Sequence, residues 1–286
     1  MLYPLVVALG SQRYRVERPF GHWQECAGRV TGVAHSRRGV HVLLREDPLN
    51  DTGGPRVLTL DDETGTPLAA WGAAVIADAH LLAAYGERLY IVDRDAHQVI
   101  VTTLDGEVRS RLGERNRPLA PFNHPTDVAV APDGTVYVSD GYAGASVHRF
   151  APDGTPITRW GGWGTGPGAF VNPHAIWVMR DGRVVVADRE NGRLQVFDPD
   201  GTLLSILTGF VRPADLWGDA EDRLYVVDAV PTLTLLAPHG AMIGRCRPVL
   251  NGAHGVWGDG AGRLYLAEGN PSRVTRLVPI PEGAQA

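Results

Sequence analysis

Apolar and polar residues alternate along most of this chain in short runs, and the runs are punctuated by Asp-Gly. The stretch VAVAPDGTVYVSD (128–140) reads as strand, turn, strand, and WVMRDGRVVVAD (177–188) repeats the pattern. Alternation with period two around an Asp-Gly turn is a hairpin signal. No long run with helical spacing competes with it. The segment 122–161 aligns with 170–209 over a strand, a turn, a second strand ending in Asp, a third strand, a second Asp-Gly turn and a fourth strand. Weaker copies occupy 28–47, 77–95, 212–230 and 252–270. Repeats of this period, each able to form four antiparallel strands, predict an all-β, six-bladed β-propeller. The expected blades run approximately over 28–72, 74–113, 122–161, 170–209, 210–246 and 249–280, in a single domain covering 1–286. The last copy is short. The N-terminal YPLVVAL or RYRVE is expected to supply its missing strand and close the ring.

Equivalent positions in radially arranged blades form rings about a central channel. The position before each first strand reads Thr31, His80, Thr126, His174, Ala214 and His254. Histidine falls in the second, fourth and sixth blades only, so the three imidazoles are expected to converge on the axis. Three histidines with further coordination positions open suit a catalytic metal, zinc first and another divalent transition metal second. The other histidines, among them His22, His35 and His148, lack this symmetry and read as ordinary core or loop residues.

A second ring closes the second strands: Arg45, Asp93, Asp140, Asp188, Asp228 and Glu268. Each lies 14 residues after its partner in the first ring, except Asp93 at 13. The acids read as corner-fixing acceptors of backbone N–H groups. Arg45 breaks the series and asks for an anion, either a substrate carboxylate or a local acid, Glu46 or Asp47. Tyr142 and Arg189 follow the same ring, where blade loops face the channel mouth. A tyrosine near an arginine and a dication can act as a base.

Composition narrows the choice of partner. A net charge of −5 offers no basic track for nucleic acid. No stretch approaches the ~20 apolar residues of a membrane span. The opening MLYPLVVALG is short, has no basic start, and reads as a strand rather than a signal peptide. With only Cys26 and Cys246, no disulfide framework is indicated. A cytoplasmic monomer is expected.

The motifs SDGY (139–142), NPHAIWV (172–178) and VADRENGR (186–193) resemble the six-bladed NHL-repeat propeller of peptidyl-α-hydroxyglycine α-amidating lyase and its bacterial stand-alone relatives. The resemblance is strongest over 122–200 and can be followed from about 28 to 270. It implies a zinc held by His80, His174 and His254, with Tyr142 as base and Arg45 and Arg189 placing and polarising groups. It also implies a C–N lyase reaction giving an amide and glyoxylate, on a small-molecule or peptide-like substrate that a separate hydroxylase can supply. Several positions depart from the family. Gly255 stands where the animal lyases have an acid used by a structural calcium, so calcium is not expected. Gly252 replaces a methionine, Ala79 and Ala253 replace prolines, and Ala143, Val185 and Val196 replace cysteines. These changes leave the metal and base in place and bear on the substrate. The alternatives are a cyclase, dehydratase or lactonase-like hydrolase on the same site in specialised metabolism, or a non-catalytic interaction platform. The loops 48–55, 114–121, 161–169 and 229–233 are expected to set the substrate.

Overall fold

The computed structural model describes residues 5–23, 28–46, 53–281 and 283. Cys26, Asp47 and most of the 48–55 loop lie outside them. The regular elements of the described residues are all strands apart from one 3-10 turn at Arg189–Asn191. They make six antiparallel sheets, as the repeat predicts. Blade one comprises β3 (Arg29–Ser36), β4 (Gly39–Arg45), β5 (Val57–Leu60) and β6 (Pro67–Trp71). Blade two runs from β7 (Ala79–Tyr85) through β8 (Arg88–Asp93) and β9 (Gln98–Thr103) to β10 (Val108–Leu112). Blade three holds β11 (Pro125–Val130) to β14 (Pro156–Gly161), and blade four β15 (Pro173–Val178) to β18 (Leu203–Thr208). Blade five holds β19 (Pro213–Gly218) to β22 (Met242–Cys246).

The sixth sheet is built from sequence-distant parts. β23 (Gly255–Gly258), β24 (Leu264–Gly269) and β25 (Ser272–Ile280) are joined by β2 (Gln12–Glu17) and then β1 (Val6–Leu9). Both expected N-terminal segments are used: RYRVE pairs with β25 as the fourth strand, and VVAL adds a fifth. The Arg276–Glu17 ion pair ties the closure.

Strand rank explains burial. In blade four the first three strands are buried almost throughout, while outermost β18 is largely exposed. Apolar residues of neighbouring blades interlock between the sheets, as in the cluster joining Ala175, Val185 and Leu194 of blade four to Leu216, Leu224 and Val226 of blade five. Every blade-to-blade contact therefore removes apolar surface from water, at roughly 25 cal/mol per Å².

The channel is asymmetric in a way the repeat alignment did not reveal. Three residues beyond the histidine-bearing ring, blades four to six carry Trp177, Trp217 and Trp257, whereas blades one to three carry alanine. Trp177 lies 5.6 Å from Trp257 and 6.4 Å from Trp217, ring centre to ring centre. With Ala83 and Val130, Trp177 and Trp257 line a cavity of about 450 Å³ at the end of the channel away from the histidines. Each of two indoles fits over a glycine of the next blade. A Cβ on Gly218 would stand 2.3 Å from Trp177, and one on Gly258 2.3 Å from Trp217. Overpacking of this kind costs about 1–3 kcal/mol. Gly258→Val should therefore lower the unfolding free energy by about that amount in denaturant titrations. Gly260→Ala, with open space around its Cβ, should change it by less than about 0.5 kcal/mol.

Candidate metal centre and active site

The innermost strands carry a register shift at the ring position. Pro173 pairs with Asp188 and Ala175 with Ala187, leaving His174 as the extra residue. The same shift occurs at Thr31, at Thr126, at Ala214 and across His80–Leu81. A bulge re-aims a side chain that would otherwise point between the sheets. Here it turns the ring residues into the channel. In blade six, His254 precedes β23 and is anchored by its own N–H on the Ala267 carbonyl at 2.7 Å.

The three imidazoles meet as the alternation predicts. Their ring centres lie 4.9 Å (His80–His254), 5.0 Å (His80–His174) and 5.1 Å (His174–His254) apart, edge to face. One ring nitrogen from each lies within 4.8 Å of the others. Nδ1 of each donates to a backbone carbonyl of the next blade: His80 to Thr126 at 2.5 Å, His174 to Ala214 at 2.6 Å, and His254 to Thr31 at 2.6 Å. That acceptor fixes the proton on Nδ1 and leaves the Nε2 lone pair facing the axis. Burial holds all three rings well below the usual imidazole range. The neighbouring imidazoles add to the effect at His80, and His254 with Arg189 at His174. At His254, burial and then Arg189, Arg29 and Arg45 bring the value to about 4, against the opposing pull of the Thr31 carbonyl. Three neutral, preoriented nitrogens fit a divalent metal with coordination positions to spare.

Tyr142, just past blade three's second strand, extends its hydroxyl to 3.1 Å from Nε2 of both His80 and His174, and can donate to either. Arg189 Nη1 donates to that hydroxyl at 3.4 Å. Arg189 is held by its N–H on the Asn172 carbonyl at 2.8 Å, within a 3-10 turn that ends at Gly192 in the left-handed conformation. The structure thus gathers Tyr142, Arg189 and the three histidines. Arg45 turns elsewhere. It forms an ion pair with Asp78, while its charge still acts on His254. Asp78 also takes Arg94 Nε at 2.8 Å, and burial pushes its carboxyl up despite both guanidiniums.

Three of the ring acids act as corner fasteners. Asp93 accepts the N–H groups of Ala77 and Asp78 at 3.0 and 2.7 Å, Asp140 that of Asn123 at 2.9 Å, and Asp188 that of Val171 at 3.0 Å.

Sequence reasoning missed two groups. Arg94, the blade-two counterpart of Arg189, stacks 5.0 Å above the Tyr142 ring. A comparison of the position after the second ring across blades contains that signal. Asp127 and Asp215 follow the histidine ring by one residue in blades three and five. They accept N–H groups from the next blade, Ile176 at 2.9 Å and Val256 at 2.8 Å. Burial raises both carboxyls, Asp127 far above its ordinary range with Asp215 adding repulsion, and Asp215 to about 7.

The sequence pattern of the NHL repeat matches residues 122–150 and 170–197. Blades three and four are NHL repeats. These NHL blades carry Tyr142, His174 and Arg189. The chain is 36% identical to mouse peptidyl-glycine alpha-amidating monooxygenase over 207 residues, which is 60% of this chain and 21% of that protein. It is 35% identical to a Caenorhabditis elegans protein described as a probable peptidyl-alpha-hydroxyglycine alpha-amidating lyase, over 38% of this chain and 33% of the relative. It is 31% identical to human NHL repeat-containing protein 3, over 51% of this chain and 46% of the relative. The chain therefore spans about a fifth of the mouse relative's length and less than half of the human one. Among solved structures, a gluconolactonase from Xanthomonas campestris superimposes with a TM-score of 0.70 at 20% identity, covering 97% of this chain and 95% of that one. A streptogramin B lyase gives 0.68 at 12%, covering 96% and 100%. Both likenesses are of fold. No helix among the described residues is long and apolar enough to cross a membrane.

The depressed imidazoles set a pH dependence. An unfolded His254 takes up a proton near 6.5, whereas the folded one resists until about 4. The unfolded state then binds more protons across that interval, so stability falls as the pH falls through it. Melting temperatures of the metal-free protein should drop on acidification from about pH 6.5 to about 4. His254→Gln should flatten the drop.

Proposed function

We propose that this protein is a metal-dependent carbon–nitrogen lyase acting on a hydroxylated amide of the α-hydroxyglycine type. The observation that carries the reading is the Tyr142 hydroxyl, 3.1 Å from two of three convergent, Nδ1-anchored imidazoles and within reach of Arg189. His80, His174 and His254 would hold the ion, with zinc best suited to three neutral nitrogens. When bound, it supplies Lewis acidity toward an oxygen of the substrate. The similarity to amidating enzymes supports the substrate class.

The chain's own residues have defined tasks in this reading. Tyr142, as general base, takes the proton of the carbinol hydroxyl. The oxygen's electron pair closes a C=O bond as the C–N bond breaks, and that bond's electrons go to nitrogen. The nitrogen receives the proton back, giving an amide and an aldehyde acid, with no net gain or loss of electrons. Arg189 steadies the negative oxygen of Tyr142 through its guanidinium. Arg94, stacked over the ring, holds the phenol in place by cation–π attraction. An interaction platform would give no reason to bury three imidazoles edge to face on an axis.

His174→Ala should lose the bound metal while keeping the far-ultraviolet spectrum of a β-rich fold; metal analysis of the purified variant checks this. Full metal content in that variant would assign the site to other residues. Tyr142→Phe should retain metal and lose ~10²–10⁴-fold in turnover of a hydroxyglycine-capped peptide, the range for a missing general base. Unchanged steady-state rates would remove Tyr142 from the reaction.

A further inference from the structure

The channel mouth carries more guanidiniums than carboxylates, and most of them are committed. Arg45 and Arg94 share Asp78, and Arg94 also meets Asp95 at 2.8 Å. Arg212 grips Glu190 with two bonds of 3.0 and 2.9 Å. Arg189 lies 3.3 Å from Glu190 and reaches Tyr142. Among the described residues, the Arg29 side chain has neither an ion pair nor a hydrogen bond. It opens blade one beside blade six, across the axis from Tyr142's blade.

Arg29 borders a cavity of about 260 Å³ whose lining includes Arg189 and the metal-ring histidine His254, and no carboxylate. Ala229, Gly252 and Gly269 keep it open, and Asn251 and Asn270 complete its polar wall. Gly269 has a specific purpose. A Cβ there would stand 2.4 Å from Arg29 Nε, so a glycine is what lets the guanidinium lie against the blade-six corner. Gly252 is similarly confined, since its Cβ would meet the Ala229 carbonyl oxygen at 2.2 Å. Two guanidiniums thus face this small cavity, and no carboxylate lines it.

We infer that Arg29 is a specificity residue that, with Arg189, clamps a carboxylate of the substrate in this cavity. The inference rests on the lyase reading for its substrate and adds the residue that selects the anion. Arg189 touches both Tyr142 and the cavity, so one substrate can present its hydroxyl to the tyrosine and its carboxylate to blade six. Arg45, the arginine that the sequence suggested for a carboxylate, is occupied by Asp78.

The test compares glycolate with glycolamide, its uncharged counterpart, by calorimetric titration of the purified protein. Glycolate should bind more tightly than glycolamide. Arg29→Met should weaken glycolate binding by about 10-fold or more, the loss expected for a charged hydrogen bond. It should leave glycolamide unchanged, and Arg29→Lys should restore part of the loss. Equal glycolate affinity in wild type and Arg29→Met, equal affinity for the two probes, or no glycolate binding each overturns the inference. Turnover of a hydroxyglycine-capped peptide is followed in parallel. Arg29-dependent glycolate binding without turnover upholds the anion cavity and sinks the lyase reading. Turnover with Arg29-independent binding does the reverse.

Discussion

The arrangement depends on a belt of hydrogen bonds in which each blade's ring residue reaches for the main chain of the next. Thr31 donates to Ala79, His80 to Thr126, Thr126 to Pro173, His174 to Ala214 and His254 to Thr31. Only blade five, with Ala214, supplies an acceptor and no donor. The belt locks blade to blade at the radius where the sheets come closest, and it orients the imidazoles without any dedicated supporting side chain. A carbonyl held in a sheet has little freedom to move. Each imidazole is therefore set by the scaffold itself, an economical form of preorganisation.

Charge is layered along the axis around this belt. Arginines gather above the histidines, at the mouth, and Asp127 and Asp215 lie just below. The arginines favour neutral imidazoles and an ionised partner such as a phenolate or carboxylate. Burial favours neutral groups of every kind, so both levels press the histidines toward the uncharged state that metal ligation requires. The tryptophans close the far end with apolar bulk.

Much of this was legible in the sequence because propeller geometry converts equal spacing into equal radius. The 14-residue interval between Thr126 and Asp140, or His174 and Asp188, located two rings, and the alternation of histidine located their convergence. The bulge that turns the ring residues inward was not legible, since alternation alone does not encode it. Arg45's partner was also hidden. Asp78 lies far away in sequence, and a long flexible side chain can choose among several acids. Asp127, Asp215 and Arg29 were passed over because their significance lies in contacts between blades, not in any local motif. The tryptophan floor left a clear trace at three consecutive blades, but on a row of the alignment that chemistry gave no reason to inspect.

Closure of the ring has a consequence for the life of the molecule before it is folded. Glu17 must wait for Arg276, 259 residues later in synthesis, before β2 can pair with β25. The Thr31 carbonyl likewise waits for His254 across 223 residues. During translation, five blades can be present while the first has an uncovered flank and the axial trio is incomplete. Such an intermediate exposes strand edges of the kind that aggregate. It also holds only two of the three imidazoles, so a released fragment lacks the full trio. Integrity of the whole circle and possession of the site are therefore one condition: the last blade to be made is both the clasp of the ring and the third arm of the site.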